Sequence, residues 1–108
     1  NGEGSAKAKG YIDALRNRAH AAVRPSYTLN DVLDERSREL YCEGLRRTDL
    51  IRFNQFGGTQ ATYKWELKGG STNGTTFAKT YNVYPLPSSE VRSNKNLTQI
   101  DGYNEVQN

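Results

Sequence analysis

Cysteine, histidine, long apolar runs and a dominant charge are all scarce in this chain, and each scarcity removes a class of function. A single cysteine, Cys42, leaves no internal disulfide to staple the fold. The one histidine, His20, lies on a different segment, so a Cys/His nucleophilic pair has no motif behind it. No spaced His/Cys/acid set marks a metal centre, and no cofactor is expected. No apolar run approaches the ~20 residues that span a bilayer. The opening stretch NGEGSAKAKG has neither the hydrophobic block of a signal peptide nor a starting Met, and reads as a beginning in mid-protein. A formal charge of +3, with 15 Lys and Arg scattered against 12 Asp and Glu, gives no basic patch for nucleic acid. With 34% apolar residues over 108 positions, one domain with a thin core is the upper limit.

What is present in quantity is paired charge on a helical pattern. Thr28 followed by Asp31 has the form of a capping box, which predicts a helix over 28–53 with Thr28 as its N-cap. Advancing ~100° per residue, one stripe collects Leu29, Val32, Leu33, Leu40, Leu50 and Ile51, the face of a helix packed on a core. Arg36, Glu43, Gly44 and Arg47 fall on the same stripe. Charges there require partners, so a semi-buried network is expected, with Glu43 and Arg47 one turn apart and Arg36 two turns from Glu43. Gly44 costs a helix ~1 kcal/mol relative to Ala and reads as a packing glycine rather than a break. Between 34 and 52, five acids balance five arginines. Cys42, opposite the stripe, reads as a small side chain against a neighbouring element.

Upstream, residues 4–22 form a second helical pattern, with Ser5 as N-cap and Ala8, Tyr11, Ile12, Leu15, Ala19 and Ala22 on one face. Arg18 at the edge of that face is placed to reach Glu39 or Glu43. Pro25 and a short polar turn predict antiparallel neighbours, an αα-hairpin. Residues 54–82 are rich in Gly, Thr, Asn and Ser, which makes them a loop. Within it Tyr63, Trp65 and Leu67 alternate with Lys64 and Glu66, and Thr76 to Tyr81 offers a partner. A short β-hairpin and an extended excursion both fit. The tail, 83–108, starts with Pro85 and Pro87 in extended backbone, follows with one helical turn at Ser88 or Ser89, and carries Leu97, Ile100 and Tyr103 as isolated anchors. Asn73-Gly74-Thr75 and Asn96-Leu97-Thr98 match the glycosylation tripeptide by a pattern common by chance.

The string DERxRELxxEGxRRxDLIR from Asp34 to Arg52, followed in order by YPLPSSEV at 84–91 and NKNLTQIDGY at 94–103, resembles the C-terminal portion of the SusD/RagB family. IDALRNRA at 12–19 is similar to the family's preceding helix. The tail departs from the family pattern at Lys95 and at Ile100-Asp101, where prolines are usual, which relaxes its rigidity. The resemblance implies a mainly α chain, an αα-hairpin of a tetratricopeptide-like fold followed by the loop and tail. It also implies that residues 1–108 end a larger single domain whose remaining N-terminal part lies upstream. The family consists of outer-membrane, cell-surface lipoproteins that bind glycans and cap a TonB-dependent, SusC-like transporter, without hydrolysing the sugar. No nucleic acid is involved.

Three functions follow for comparison. In a glycan binder, aromatic faces stack on sugar rings, and Tyr63 and Trp65 are the best local candidates, although packing of a hairpin onto the helices is the favoured reading of the pair, since a lone tryptophan is more often core. A purely structural or docking element is compatible with this. A glycosidase would need two carboxylates, and Glu39 and Glu43 lie one predicted turn apart among arginines that depress their pKa values, the reverse of what a general acid needs. The expected structural network is Arg18, Arg36, Glu39, Glu43 and Arg47.

Overall fold

The computed structural model of the protein describes residues 2–103, so the last five residues of the tail predicted over 83–108 lie outside it. The chain divides after Asp49 into two compact units. It is mainly α, as predicted, with helices α1 (Gly2–Arg18), α2 (Leu29–Glu39), α3 (Arg46–Arg52) and α4 (Ser88–Ser93), and no strand among the described residues.

In the first unit, α1 starts at Gly2, ahead of the predicted position, which puts Ser5 inside the helix instead of at its cap. It stops at Arg18 because His20 takes a left-handed backbone, φ 54°. The His20 amide then donates to the Asn17 carbonyl at 3.1 Å and the Ala21 amide to that of Arg16 at 2.8 Å, the two bonds of a Schellman ending. Residues 19–28 are not the tight turn expected around Pro25. They run back beside α1, where Arg16 Nε donates to the Ala22 carbonyl at 2.7 Å and the Tyr27 hydroxyl to Asp13 at 2.8 Å.

Thr28 then starts α2 through the predicted capping box. Its hydroxyl accepts from the Asp31 amide at 3.2 Å while its own amide donates to Asp31 Oδ2 at 2.8 Å. The continuous helix predicted over 28–53 does not form: α2 ends at Glu39 and α3 begins at Arg46. Cys42 and Gly44 sit at φ 64° and 74°, values that no α-helix accommodates. Gly44 is therefore a chain-reversing glycine, and a Cβ built there meets nothing within 4 Å, so the expected close packing is absent. Cys42 is exposed. Of the predicted stripe Leu33 is fully buried, whereas Leu29 is 74% exposed.

In the second unit, α3 ends on another left-handed residue, Asn54 at φ 55°. Gln55 donates back to Leu50 at 2.7 Å and Asn54 to Ile51 at 2.9 Å. The strand predicted at 63–67 is interrupted because Leu67 itself takes φ 65° and leads into a 3-10 turn, Lys68–Gly70. Pairing is reduced to an isolated parallel bridge between Gly57 and Phe77. The tail is extended and anchored by side chains: the Gln99 amide exchanges bonds with both backbone groups of Leu86 at 3.0 and 2.9 Å, and the Tyr103 hydroxyl donates to Val83 at 2.8 Å. The buried side chains among the described residues are Ile12, Leu33, Leu50 and Ala61, together with the charged Glu35, Asp49 and Lys68. Burial of charge alongside so little apolar surface is what the composition requires.

Candidate functional site

The loop after α3 sets two aromatic rings, Trp65 and Phe77, against one buried lysine. The Schellman turn at Asn54 leaves the Gln55 carbonyl pointing into the loop, and the Gln55 side chain accepts from the Tyr63 amide at 2.8 Å. Lys68, 1% exposed, donates through Nζ to the Tyr63 carbonyl at 2.8 Å and to the Gln55 carbonyl at 3.2 Å. The same ammonium lies 4.6 Å from the centroid of the Trp65 ring and 5.4 Å from that of Phe77. Burial depresses the Lys68 pKa below the ordinary lysine value, with the nearby Lys64 charge acting in the same direction.

Tyr63 and Trp65, the predicted sugar contacts, are both half-buried, their centroids 6.4 Å apart at 47°. Trp65 also meets the edge of Phe77 at 6.1 Å, and the ring contacts continue from Phe77 to Phe56 at 5.1 Å and to Tyr81 at 5.9 Å. Tyr81 remains 52% exposed and Tyr84 71% exposed. Gly74 allows this closure: at φ 71°, its missing Cβ would stand 2.4 Å from the Trp65 carbonyl. The loop therefore presents tryptophan and tyrosine on a backbone held from within.

The network residues of the first unit are distributed differently from the prediction. Arg18 reaches Glu39 with two hydrogen bonds, 2.5 and 2.6 Å. Arg36 pairs with Asp49 at 2.8 Å rather than with Glu43, which is exposed in the 40–45 connection. Arg47, half-buried in α3, is one turn from Asp49's neighbour Leu50 and does not face Glu43 across a helical turn, because that turn does not exist. Arg16–Glu35 is an enclosed pair at 2.8 Å, with side chains 13% and 11% exposed, and Arg38 adds a second bond to Glu35 at 2.8 Å.

The sequence profile described as the SusD family matches residues 1–103. The chain belongs to the SusD family. It is also 44% identical over 97 residues to the starch-binding protein SusD of Bacteroides thetaiotaomicron, an alignment that covers 89% of this chain. It spans 17% of the length of that relative.

Within this SusD-family chain, sequence reasoning missed Lys68, Glu35, Arg16 and Asp49. Lys68 carries no local pattern that marks it for burial; the usable signal was the Gly69-Gly70 pair directly after it, where the chain turns. Arg16 lies one turn beyond the buried Ile12, on the packed side of α1, and that spacing was the usable clue. Next to the Arg36–Asp49 pair the chain leaves an open pocket of about 500 Å³, lined by Leu40, Tyr41, Gly44 and Arg46 among others. Arg46 spans it to donate to the Leu33 carbonyl at 2.7 Å. No helix among the described residues is long and apolar enough to cross a membrane.

Proposed function

We propose that this chain is the C-terminal part of a longer, non-catalytic glycan-binding protein of the cell surface. Its first unit serves as scaffold and its aromatic loop contributes a contact to sugar. The observation that carries the reading is the 44% identity to a protein named for starch binding, joined to a half-buried tryptophan and tyrosine 6.4 Å apart. Rings held in that way offer apolar faces to pyranose C–H groups while nearby amides bond hydroxyls. Starch is the first candidate glycan, since it is the polymer in the relative's name. Delivery to a SusC-like, TonB-dependent transporter, a tetratricopeptide-like arrangement of the remaining helices and a lipid anchor in the outer membrane complete the proposal, on the strength of family membership.

A hydrolytic role has little support. Glu39 is engaged by Arg18, and Glu43 lies beyond the end of α2, so the one-turn spacing of two carboxylates is lost. A purely structural or docking role is the competing reading, favoured by the contacts that Trp65 makes with Phe77 and Lys68. Affinity electrophoresis of the longer protein in gels containing starch separates the two. Retardation that weakens in Trp65→Ala supports a sugar contact here, whereas retardation unchanged by the substitution removes this loop from the binding surface.

A further inference from the structure

Lys68 is the least expected side chain in the molecule. It is an ammonium group with 1% exposure, in a unit whose other buried side chains are apolar, and among the described residues no carboxylate faces it. A buried lysine normally requires a counter-ion. Here the charge is met by two backbone carbonyls, of Gln55 and Tyr63, and by two ring faces, of Trp65 and Phe77. These four partners come from three stretches of the loop: the exit from α3 at Gln55, the 63–65 segment with the two candidate contact residues, and the returning segment at Phe77. The backbone of Lys68 extends the arrangement, since its amide donates to the Trp65 carbonyl at 3.1 Å and its carbonyl accepts from the Thr75 amide at 2.8 Å. One residue thus touches every segment of a loop that has no sheet or α-helix of its own.

We propose that Lys68 is a positioning residue for glycan binding: it fixes Trp65 and Tyr63 in a preformed platform and occupies one face of the indole, so that a sugar stacks on the other. This rests on the reading of Tyr63 and Trp65 as sugar contacts. The physical gain is preorganisation. A ring whose rotamer is already set loses little freedom when a sugar arrives, and most of the affinity available from stacking is then retained. A lysine suits the task better than a leucine would. Its stem fills the space beneath the ring, its three N–H donors satisfy carbonyls that an irregular loop would otherwise leave unpaired, and its charge holds an aromatic face at a defined distance. Gly74 accommodates the same closure from the other side, where an added Cβ would lie 3.3 Å from the Lys68 Cβ and 2.4 Å from the Trp65 carbonyl.

The test uses the longer protein with fluorotryptophan incorporated and the Trp65 fluorine resonance assigned by Trp65→Phe. Maltoheptaose binding is measured for the unaltered protein, Trp65→Ala, Lys68→Met and Lys68→Arg, at a temperature where circular dichroism shows each to be folded. Lys68→Met keeps the volume and removes the cation. It is expected to shift the Trp65 resonance and weaken binding to an extent comparable with Trp65→Ala, while Lys68→Arg, which keeps a cation, retains more of both. If Trp65→Ala weakens binding but Lys68→Met changes neither the resonance nor the affinity, the positioning role is overturned and the sugar contact stands. If Trp65→Ala leaves binding unchanged, or the unaltered protein does not bind maltoheptaose, the sugar contact itself is overturned and the proposal with it. Should Lys68→Met fail to fold, the unaltered protein decides: the Lys68 Cε protons must resonate upfield of other lysines through the ring currents of Trp65 and Phe77, and ordinary shifts overturn the proposal.

Discussion

At the scale of single residues, carboxylates that look alike in the sequence differ sharply in what their loss costs. Glu35 is enclosed and accepts from both Arg16 and Arg38, so Glu35→Ala leaves the Arg16 guanidinium, 13% exposed, without the carboxylate it donates to and with the more distant Asp13 charge nearby. That is expected to cost ~3 kcal/mol or more. Glu43, placed by helical angles on the packed face, is exposed, and Glu43→Ala should stay within ~0.5 kcal/mol. Urea unfolding of the two variants in the longer protein checks the order, and equal losses would show that the enclosure of Glu35 counts for nothing. Asp31 adds a pH dependence. The Thr28 amide, then the Thr28 hydroxyl and Arg24, hold its pKa below the ordinary 3.8. A carboxylate depressed in the folded state contributes stability above its unfolded value, and that contribution is lost as pH falls through the lower folded value. Melting temperature followed downward from pH 5 should therefore drop, and Asp31→Asn should flatten that limb.

At the scale of elements, what could be read from the sequence was whatever depends on neighbours close in the chain. The capping box at Thr28 is a contact over three residues, and the short helix α4 follows directly on Pro87; both formed where expected, although α4 starts from Pro87 without a serine side-chain cap. The break between α2 and α3 was hidden because LYCEGL satisfies helical periodicity, whereas the bonds that join the two helices across it, Arg36 to Asp49 and Arg46 to the Leu33 carbonyl, are tertiary. The site was half legible for the same reason. Tyr63 and Trp65 announce themselves as aromatics in a glycine-rich loop, but Lys68 beneath them depends on contacts with Gln55 and Phe77 that no local pattern encodes. Two glycines separate backbone need from packing need. Gly44→Ala meets open space and should cost ~1 kcal/mol for its positive φ alone. Gly74→Ala adds a collision with the Trp65 carbonyl at 2.4 Å and should cost several times as much, with the Trp65 environment altered. Thermal melts together with tryptophan fluorescence measure both effects, and indistinguishable variants would mean that the loop yields at 74 without resistance.

At the scale of the whole molecule, the balance of buried and exposed surface bears on how the chain exists. Its buried apolar side chains among the described residues are four, Ile12, Leu33, Leu50 and Ala61, whereas Tyr11, Leu29 and Tyr41 stand 64%, 74% and 80% exposed in the first unit alone. The chain spans 17% of the length of its starch-binding relative, and under the proposal that it is part of a longer protein these exposed side chains are where the remainder is expected to pack. Residues 1–108 expressed alone are expected to unfold without a sharp cooperative transition and to bind an apolar dye, while in the longer protein Leu29 and Tyr41 become protected from solvent. Differential scanning calorimetry of the isolated residues decides the point, and a sharp high-temperature transition there would show that the two units are self-sufficient and that Tyr11, Leu29 and Tyr41 need no cover.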